Sequence, residues 1–283
     1  MNYRHAFHAG NFADVIKHAV LARILIHLHA KETAFRVIDT HAGSGRYDLT
    51  AAEAERTGEW RDGVGRIVAA RLEPAVAALL APYLEVVARL NPQQDLVTYP
   101  GSCEIARAHL RPQDRLVACE LEPNAARALA HNFSDDERVK AVAIDGWTAL
   151  TAYVPPKERR GVVLIDPAFE APDEFARLAD RFAAAYRKWP TGTYVLWYPI
   201  KSRRDSDSLA QRLERPAIAK ILRAEIAVAE PRPDDRLAAC GLVIVNPPWT
   251  LERELAVLLP ALVALLARDA KAACQLAWLA GEK

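Results

Sequence analysis

The turn Asp166-Pro167-Ala168-Phe169 carries residue types that could activate an aromatic amine. It follows the apolar run 161–165, which predicts a buried strand ending at Asp166. An adenine N6 amine is a weak nucleophile because its lone pair is delocalised into the ring. If Asp166 and the carbonyl of Pro167 both accepted from N6–H, they would localise that pair. Stacking of the base on Phe169 would contribute about 1–3 kcal/mol. We predict Asp166 as the catalytic acceptor, with Pro167 and Phe169 as substrate contacts.

Three other apolar runs also end in acidic or glycine-rich turns. The turns that follow them are Asp39-Thr40-His41-Ala42-Gly43-Ser44-Gly45, Glu120 and Asp145-Gly146. In an open parallel sheet, ligands bind beyond the carboxyl ends of the strands, so these turns should share one pocket with Asp166. The combined set suits S-adenosylmethionine next to an adenine base.

Each of these turns has a possible role in binding that cofactor. Glycine at 43 and 45 lets the backbone approach the aminocarboxyl tail closely, while Asp48 in place of a third glycine argues against NAD or FAD. Glu120 could accept hydrogen bonds from two ribose hydroxyls, and Asp145 could accept from the amine of the cofactor adenine. Judged singly, Glu120 could be a surface acid, Asp145 a helix N-cap, and the turn at 166–169 a capped strand end.

Composition is that of an ordinary globular protein, with 283 residues, 51% hydrophobic and 26% charged side chains, and a formal net charge of +1. Its four cysteines include no Cys-x-x-Cys pair, so we expect neither a disulfide framework nor a bound metal. No apolar stretch approaches the roughly 20 residues that cross a bilayer, and the N-terminus does not resemble a signal peptide. We therefore predict a cytoplasmic protein, monomeric and without a membrane partner.

The element pattern predicts an α/β fold. Residues 12–30 have helical spacing with Asn11 as N-cap, 35–39 form a strand, and a helix is expected around 46–49. Strands alternate with helices farther on, and the pair 221–228 and 242–245 predicts an antiparallel hairpin. These features indicate a doubly wound, Rossmann-like sheet with one reversed strand.

The long gap between the glycine turn and Glu120 predicts an insertion. In a Rossmann-type unit the next acidic strand end comes about 20 residues after the glycine turn. The intervening residues are rich in helix formers, and Pro74 suits the first turn of a helix over 73–90. We predict an inserted helical subdomain at 51–95, within a Rossmann-like domain formed by 1–50 and 96–283.

A second turn, Asn246-Pro247-Pro248-Trp249, looks even more like an amine-binding turn than the one at Asp166. It follows the second strand of the predicted hairpin, and that strand should run antiparallel to the others. Its carboxyl end would then lie at the opposite rim of the sheet. We therefore predict a structural turn there.

The turn at Asp166 is similar to the (Asp/Asn)-Pro-Pro-(Tyr/Phe) signature of amino-methyltransferases. More specifically, nearly the whole chain resembles the bacterial 23S ribosomal RNA adenine-N6 methyltransferases of the J type. The matching motifs are Tyr3-Arg4-His5-Ala6-Phe7-His8-Ala9-Gly10-Asn11, Asp14-Val15, Lys17-His18, Asp39-Thr40-His41-Ala42-Gly43, Glu55-Arg56-Thr57-Gly58-Glu59, Tyr99-Pro100-Gly101-Ser102, Gly192-Thr193-Tyr194, Leu196-Trp197-Tyr198-Pro199 and Asn246-Pro247-Pro248-Trp249.

The resemblance implies S-adenosylmethionine-dependent methylation of N6 of one adenine in 23S rRNA. It implies cofactor contacts from seven positions: His18, His41, Ser102, Glu120, Asp145, Gly146 and Asp166. It also implies that Tyr3 meets the target base as part of an N-terminal flap over the pocket. The family usually has two prolines in the acceptor turn, and Ala168 replaces the second here, so that turn should be less rigid.

Two other functions fit the same residues. One is the same chemistry on DNA, although such enzymes usually carry a target-recognition domain larger than residues 51–95. The other is a non-catalytic rRNA-binding factor that has lost activity through Ala168. Retention of Asp166, Pro167 and Phe169 favours the enzyme.

Overall fold

The computed structural model describes residues 4–214, 218–232 and 236–281. Its strands are β1 (Arg36–Asp39), β2 (Arg46–Asp48), β3 (Thr98–Pro100), β4 (Arg115–Glu120), β5 (Val139–Ala143), β6 (Gly161–Ile165), β7 (Thr193–Pro199), β8 (Ile221–Ala227), β9 (Ala239–Val245) and β10 (Ala273–Ala280). Its helices are α1 (Phe12–Leu28), α2 (Ala52–Thr57), α3 (Glu59–Asp62), α4 (Val64–Ala69), α5 (Pro74–Leu90), α6 (Ser102–Ala108), α7 (Pro123–Asn132), α8 (Gly146–Tyr153), α9 (Glu174–Lys188), α10 (Arg203–Glu214) and α11 (Leu251–Leu266), with a 3-10 turn at His5–Phe7.

One sheet of eight strands organises the fold, in the order β10-β8-β9-β7-β6-β1-β4-β5. The five strands β5, β4, β1, β6 and β7 are parallel. Their carboxyl ends therefore lie at one rim, as the sequence predicts. Strand β9 is the predicted reversed strand and pairs antiparallel with both β7 and β8, and the edge strand β10 is antiparallel to β8. The predicted Rossmann-like α/β class is confirmed.

Burial explains the composition of the central elements. Every residue of β6 and of β9 is buried, which accounts for their unbroken apolar runs. Helix α1 is buried nearly all round, including Asp14, Lys17 and His18. Such a helix lies inside a protein, and α1 is packed between the sheet and the helices of residues 51–95.

Residues 51–95 hold helices α2 to α5, the last starting at Pro74 as predicted. Val64, Leu80 and Tyr83 belong to the same apolar core as Ile16 of α1. The helical character of the segment thus agrees with the sequence, while its status as a separate subdomain stays a prediction.

The prediction of a helix around residues 46–49 is wrong. Residues 46–48 form β2, which pairs antiparallel with β3. The amide of Leu49 also donates to the carbonyl of Val97, at 2.8 Å. The segment is a strand because its backbone partners come from residues about 50 positions away, at the far end of the insertion. This two-stranded ribbon ties together the two ends of residues 51–95.

The prediction for Asn246 is confirmed. In the antiparallel pairing, Val245 lies opposite Tyr194, near the amino end of β7, so Asn246 is at the rim remote from Asp166. Its Nδ2 donates to the carbonyls of Pro190 and Gly192, both at 2.8 Å. The amide that could have bound an amine instead anchors a loop.

Gly63 should be essential for the position of residues 51–95 against α1. A Cβ on Gly63 would lie 2.1 Å from the carbonyl oxygen of Gly10 and 2.7 Å from the backbone of Asn11. We expect Gly63→Ala to lower the free energy of unfolding by about 1–3 kcal/mol, the usual cost of overpacking. Urea denaturation measures this change. The matched control is Gly281→Ala, whose Cβ would meet nothing within 4 Å; equal stabilities of the two variants would contradict the close approach.

Candidate active site

A cleft of about 730 Å³ opens at the rim formed by the carboxyl ends of the parallel strands. Eight of the predicted site residues line it: His18, His41, Ser102, Glu120, Asp145, Gly146, Asp166 and Pro167. Phe169 does not line it, and Tyr3 lies outside the described residues. Arg4, His5 and Ala6 line its N-terminal side, where the predicted flap would be. The convergence predicted from strand ends is therefore observed for most of the set.

The glycine turn and Glu120 are joined by backbone hydrogen bonds. Gly43 and Gly45 have φ of +59° and +78°, the left-handed region that favours glycine. The amide of Gly43 donates to Glu120 Oε2 at 2.9 Å, while Oε1 accepts from Leu121 and Glu122 at 2.8 and 2.7 Å. Three amides thus fix the Glu120 carboxylate at the cleft, in an orientation suited to accepting from hydroxyl groups.

Ser102 is the first residue of α6, whose N-cap is Gly101. The Ser102 hydroxyl donates to Asp39 Oδ2 at 2.5 Å. Asp39 is 1% exposed, and burial raises its pKa to about 6, with the nearby charge of Asp166 acting in the same direction. Because the Ser102 proton is committed to Asp39, its oxygen is left as an acceptor for a ligand.

His41 is held in one tautomer. Thr40 Oγ1 donates to the carbonyl of Leu164 at 2.9 Å and lies 2.8 Å from His41 Nδ1. A hydroxyl has one proton, so Nδ1 must donate to Thr40, and Nε2 is left as an acceptor. Burial lowers the pKa of His41 to about 4, which keeps the ring neutral at physiological pH.

His18 is also a neutral acceptor or donor rather than a cation. It is 1% exposed, and burial lowers its pKa to about 3. Its Nδ1 lies 2.9 Å from the hydroxyl of Tyr99, which is 3.1 Å from the hydroxyl of Tyr83 in α5. Tyr83 of the insertion thus supports a predicted cofactor contact through Tyr99 of β3, and both tyrosines are buried.

Asp145 is the N-cap of α8. Its Oδ2 accepts from the amide and hydroxyl of Thr148 at 2.8 and 3.0 Å. The capping role considered from the sequence is therefore present, yet Asp145 also lines the cleft, so both roles coexist. The next residue must be glycine, because a Cβ on Gly146 would lie 2.4 Å from the carbonyl oxygen of Thr40.

Asp166 is held by a buried ion-pair network that the sequence did not reveal. Lys17 Nζ donates to Asp166 Oδ2 at 2.5 Å and to Asp14 Oδ1 at 2.8 Å. Asp14 also accepts from His5 Nε2 and from the amide of Gly10, at 3.0 and 2.9 Å. Although burial acts in the opposite direction, the charges of Asp14 and Asp166 hold the pKa of Lys17 well above its usual range, so Lys17 is an ammonium.

Phe169 lies beside the cleft rather than in its wall. It has φ +52°, and its ring centroid is 4.8 Å from that of Phe175 and 5.8 Å from that of Trp197. The ring therefore packs in an aromatic cluster of the core, and its stacking on a base stays a prediction.

The residues that sequence reasoning missed are Lys17, Asp14 and Asp39. All three stood inside quoted motifs, but their separation in sequence from Asp166 and Ser102 concealed what they contact. One signal was available for Lys17 and Asp14: opposite charges at positions 14 and 17 of a mostly apolar helix indicate a buried ion pair.

The cleft suits the cofactor that the sequence implied. Its polar groups are mostly acceptors: the Glu120 and Asp145 carboxylates, the Ser102 oxygen and His41 Nε2. S-adenosylmethionine presents an ammonium, two ribose hydroxyls and an aromatic amine as donors and carries a positive sulfonium, against a single carboxylate. The donor and acceptor pattern of these residues therefore matches that molecule.

Burial of Asp39 makes a testable contribution to stability. Its pKa is about 6 in the folded protein and 3.8 as the ordinary value, so the folded state holds the proton more tightly. The contribution of Asp39 to the free energy of unfolding is therefore fully present below pH about 4. It is lost as pH rises through about 6, and the loss amounts to about 3 kcal/mol. In urea denaturation, Asp39→Asn should gain stability relative to the unmodified protein between pH 4 and 7. A pH-independent difference would contradict the burial argument.

Comparison with known proteins identifies the family of this chain. The family described as ribosomal RNA large subunit methyltransferase D, RlmJ, matches residues 32–280. Two proteins named ribosomal RNA large subunit methyltransferase J, from Haemophilus influenzae and Escherichia coli, are 40% and 39% identical, each aligned over 100% of both chains. A crystal structure of a protein from Legionella pneumophila has a TM-score of 0.87 and 32% identity, covering 95% of this chain and 98% of its own. The chain therefore belongs to the RlmJ family of ribosomal RNA large subunit methyltransferases.

Proposed function

We propose that this protein methylates the N6 amine of a specific adenine in 23S rRNA, with S-adenosylmethionine as methyl donor. The observation that carries the proposal is the position of Asp166. It stands at the carboxyl end of β6, in the same cleft as the glycine turn, with one carboxylate oxygen bound by Lys17. The names of the full-length relatives support rRNA as the substrate.

The residues of the chain would act on the target amine by accepting its hydrogens. Lys17 fixes Asp166 through Oδ2, and no hydrogen bond among the described residues uses Oδ1. Oδ1 and the Pro167 carbonyl are then the acceptors for the two N6 hydrogens, which localises the amine lone pair. Stabilisation of charge that develops in the transition state by preorganised groups is commonly the largest catalytic term.

The cofactor would be held by residues on four strand ends. Ser102 and the glycine turn face its aminocarboxyl tail, Glu120 its ribose, and Asp145 with Gly146 its adenine. When bound, S-adenosylmethionine supplies an electrophilic methyl group. His18 and His41, both neutral, place no positive charge against its sulfonium.

Ala168 does not remove any of these groups. The accepting carbonyl belongs to Pro167, which is buried, and Asp166 is fixed by Lys17 rather than by the turn alone. We therefore propose an active enzyme rather than a non-catalytic RNA-binding factor. Tyr3 as a contact to the target base, a monomeric state and a cytoplasmic location remain part of the proposal. No helix in the described ranges is long and apolar enough to cross a membrane.

Asp166→Asn should abolish methyl transfer. The amide keeps the shape of the side chain but removes its charge and turns one acceptor into a donor, which should lower kcat by about 100-fold or more. The measurement is transfer of labelled methyl groups to unmodified 23S rRNA. Duplex DNA as a competing substrate tests the alternative nucleic acid.

Controls separate chemistry from folding. The variant should melt as a single cooperative transition, and Lys157→Ala, an exposed cation that precedes the amino end of β6 at the opposite rim, should retain full rRNA methylation. Unreduced turnover by Asp166→Asn would remove Asp166 from the mechanism. Preferential methylation of DNA by the unmodified protein would contradict rRNA as the substrate.

A further inference from the structure

Tyr47 is a buried side chain in the wall of the cleft that has no role in the function proposed above. It belongs to β2 and is 6% exposed. Its hydroxyl accepts a hydrogen bond from the amide of Ser44 at 3.2 Å. A Cβ on Gly43 would lie 1.9 Å from the same hydroxyl oxygen, so that oxygen occupies the space in which residue 43 has no side chain. Tyr47 therefore lies directly against the glycine turn.

The glycine turn is fixed by side chains rather than by a helix. In a Rossmann-like unit this turn leads into a helix, whereas here β2 begins at Arg46. The amide of Ser44 donates to Tyr47, and the carbonyl of Ser44 accepts from Asn132 Nδ2 at 2.9 Å. Both main-chain polar groups of Ser44 are thus bound by side chains from outside the turn.

Strand pairing fixes the position of Tyr47 itself. Tyr47 lies opposite Tyr99 in the antiparallel ribbon of β2 and β3, and Tyr99 is fully buried. Because side chains alternate along a strand, Arg46 and Asp48 face the other side of the ribbon while Tyr47 faces the interior. The backbone of Tyr47 is thus held by β3, and its hydroxyl has a fixed position against the turn.

The ring of Tyr47 also contacts other segments around this end of the cleft. The ring of His5 packs edge-on against it, with 5.0 Å between the centroids. A Cβ on Gly101, the N-cap of α6, would lie 3.1 Å from Tyr47 Cε2. The glycine turn, the start of α6 and the N-terminal 3-10 turn therefore meet on one side chain. The first two of these face the cofactor tail in the proposed function.

We propose that Tyr47 is a positioning residue for the aminocarboxyl tail of the cofactor. This inference rests on the proposed function. The hydroxyl holds the Ser44 amide and thereby fixes the glycine turn in the shape that receives the tail, so Tyr47 acts through the turn and not on the reacting atoms. The ribose contact keeps its own support, because two amides outside the turn also hold the Glu120 carboxylate.

Tyr47→Phe removes the hydroxyl and keeps the ring. Affinity for S-adenosylhomocysteine should fall about three- to tenfold, the usual effect of losing one hydrogen bond. The ligand 5′-methylthioadenosine has the same adenine, ribose and sulfur but no aminocarboxyl tail, so its affinity should not change. Isothermal titration calorimetry measures both affinities without any methyl transfer, and retained binding of 5′-methylthioadenosine shows that the variant is folded.

The matched control is Tyr186→Phe, which removes a hydroxyl from α9 outside the cleft and should leave both affinities unchanged. An equal loss for both ligands in Tyr47→Phe would indicate a general structural role and overturn the proposal. Unchanged affinity for both ligands would overturn it as well, because the hydroxyl would then contribute nothing to the turn.

The unmodified protein separates this inference from the proposed function. Failure to bind S-adenosylhomocysteine would contradict the proposed function, and this inference with it. Equal affinity of the unmodified protein for S-adenosylhomocysteine and 5′-methylthioadenosine would overturn this inference alone, since the tail would then add nothing to binding.

Discussion

The ion pair network of Lys17 with Asp14 and Asp166 is the constraint on which the site depends. It joins a helix near the N-terminus to the end of a strand almost 150 positions later, and both ends are buried or nearly so. A buried ammonium is stable only while its carboxylate partners are in place, and breaking a buried pair usually costs several kcal/mol. The position of α1 therefore fixes Asp166. The N-terminal motif serves this purpose: Asn11 caps α1 and its Nδ2 donates to buried Glu59 of the insertion, at 3.0 Å.

Electrostatics divide the cleft between acceptors and neutral rings. Burial keeps His18 and His41 uncharged, and the Ser102 proton is taken by Asp39, so His41 Nε2 and the Ser102 oxygen present lone pairs. The ammonium of Lys17 is enclosed by its two carboxylates and is 5% exposed as a side chain. A cationic ligand rich in donors is thereby favoured over an anionic one such as a dinucleotide, which agrees with Asp48 in place of a third glycine.

The insertion contributes to the site as well as to the core. The ribbon of β2 and β3 takes the place of the helix that usually follows a glycine turn, and the N-terminus of α6, at Gly101 and Ser102, lines the cleft beside that turn instead. Tyr99 of β3 and Tyr83 of α5 support His18 from the insertion side. Gly63 lets the same segment approach the start of α1 closely. Residues 51–95 and their flanking strands thus help to position His18, a predicted cofactor contact, and the helix that carries Lys17.

The sequence by itself determined the elements with strong local signals and the rim where they meet. Apolar runs that end in acidic turns predicted the parallel strands and their shared crevice, with Glu120, Asp145, Gly146, Asp166 and Pro167 in it, since strand direction and side-chain periodicity are local properties. The contacts of His18, His41 and Ser102 were expected from the family resemblance alone. The predicted antiparallel direction of the strand before Asn246 also placed that residue at the other rim. Only the tertiary structure decided what distant chain segments do to one another. In the tertiary structure residues 46–48 pair with 98–100, and the Ser102 hydroxyl donates to Asp39. The Phe169 ring packs in an aromatic cluster, and Lys17 forms an ion pair with Asp166. These contacts depend on packing between segments far apart in sequence, and no local pattern specifies them.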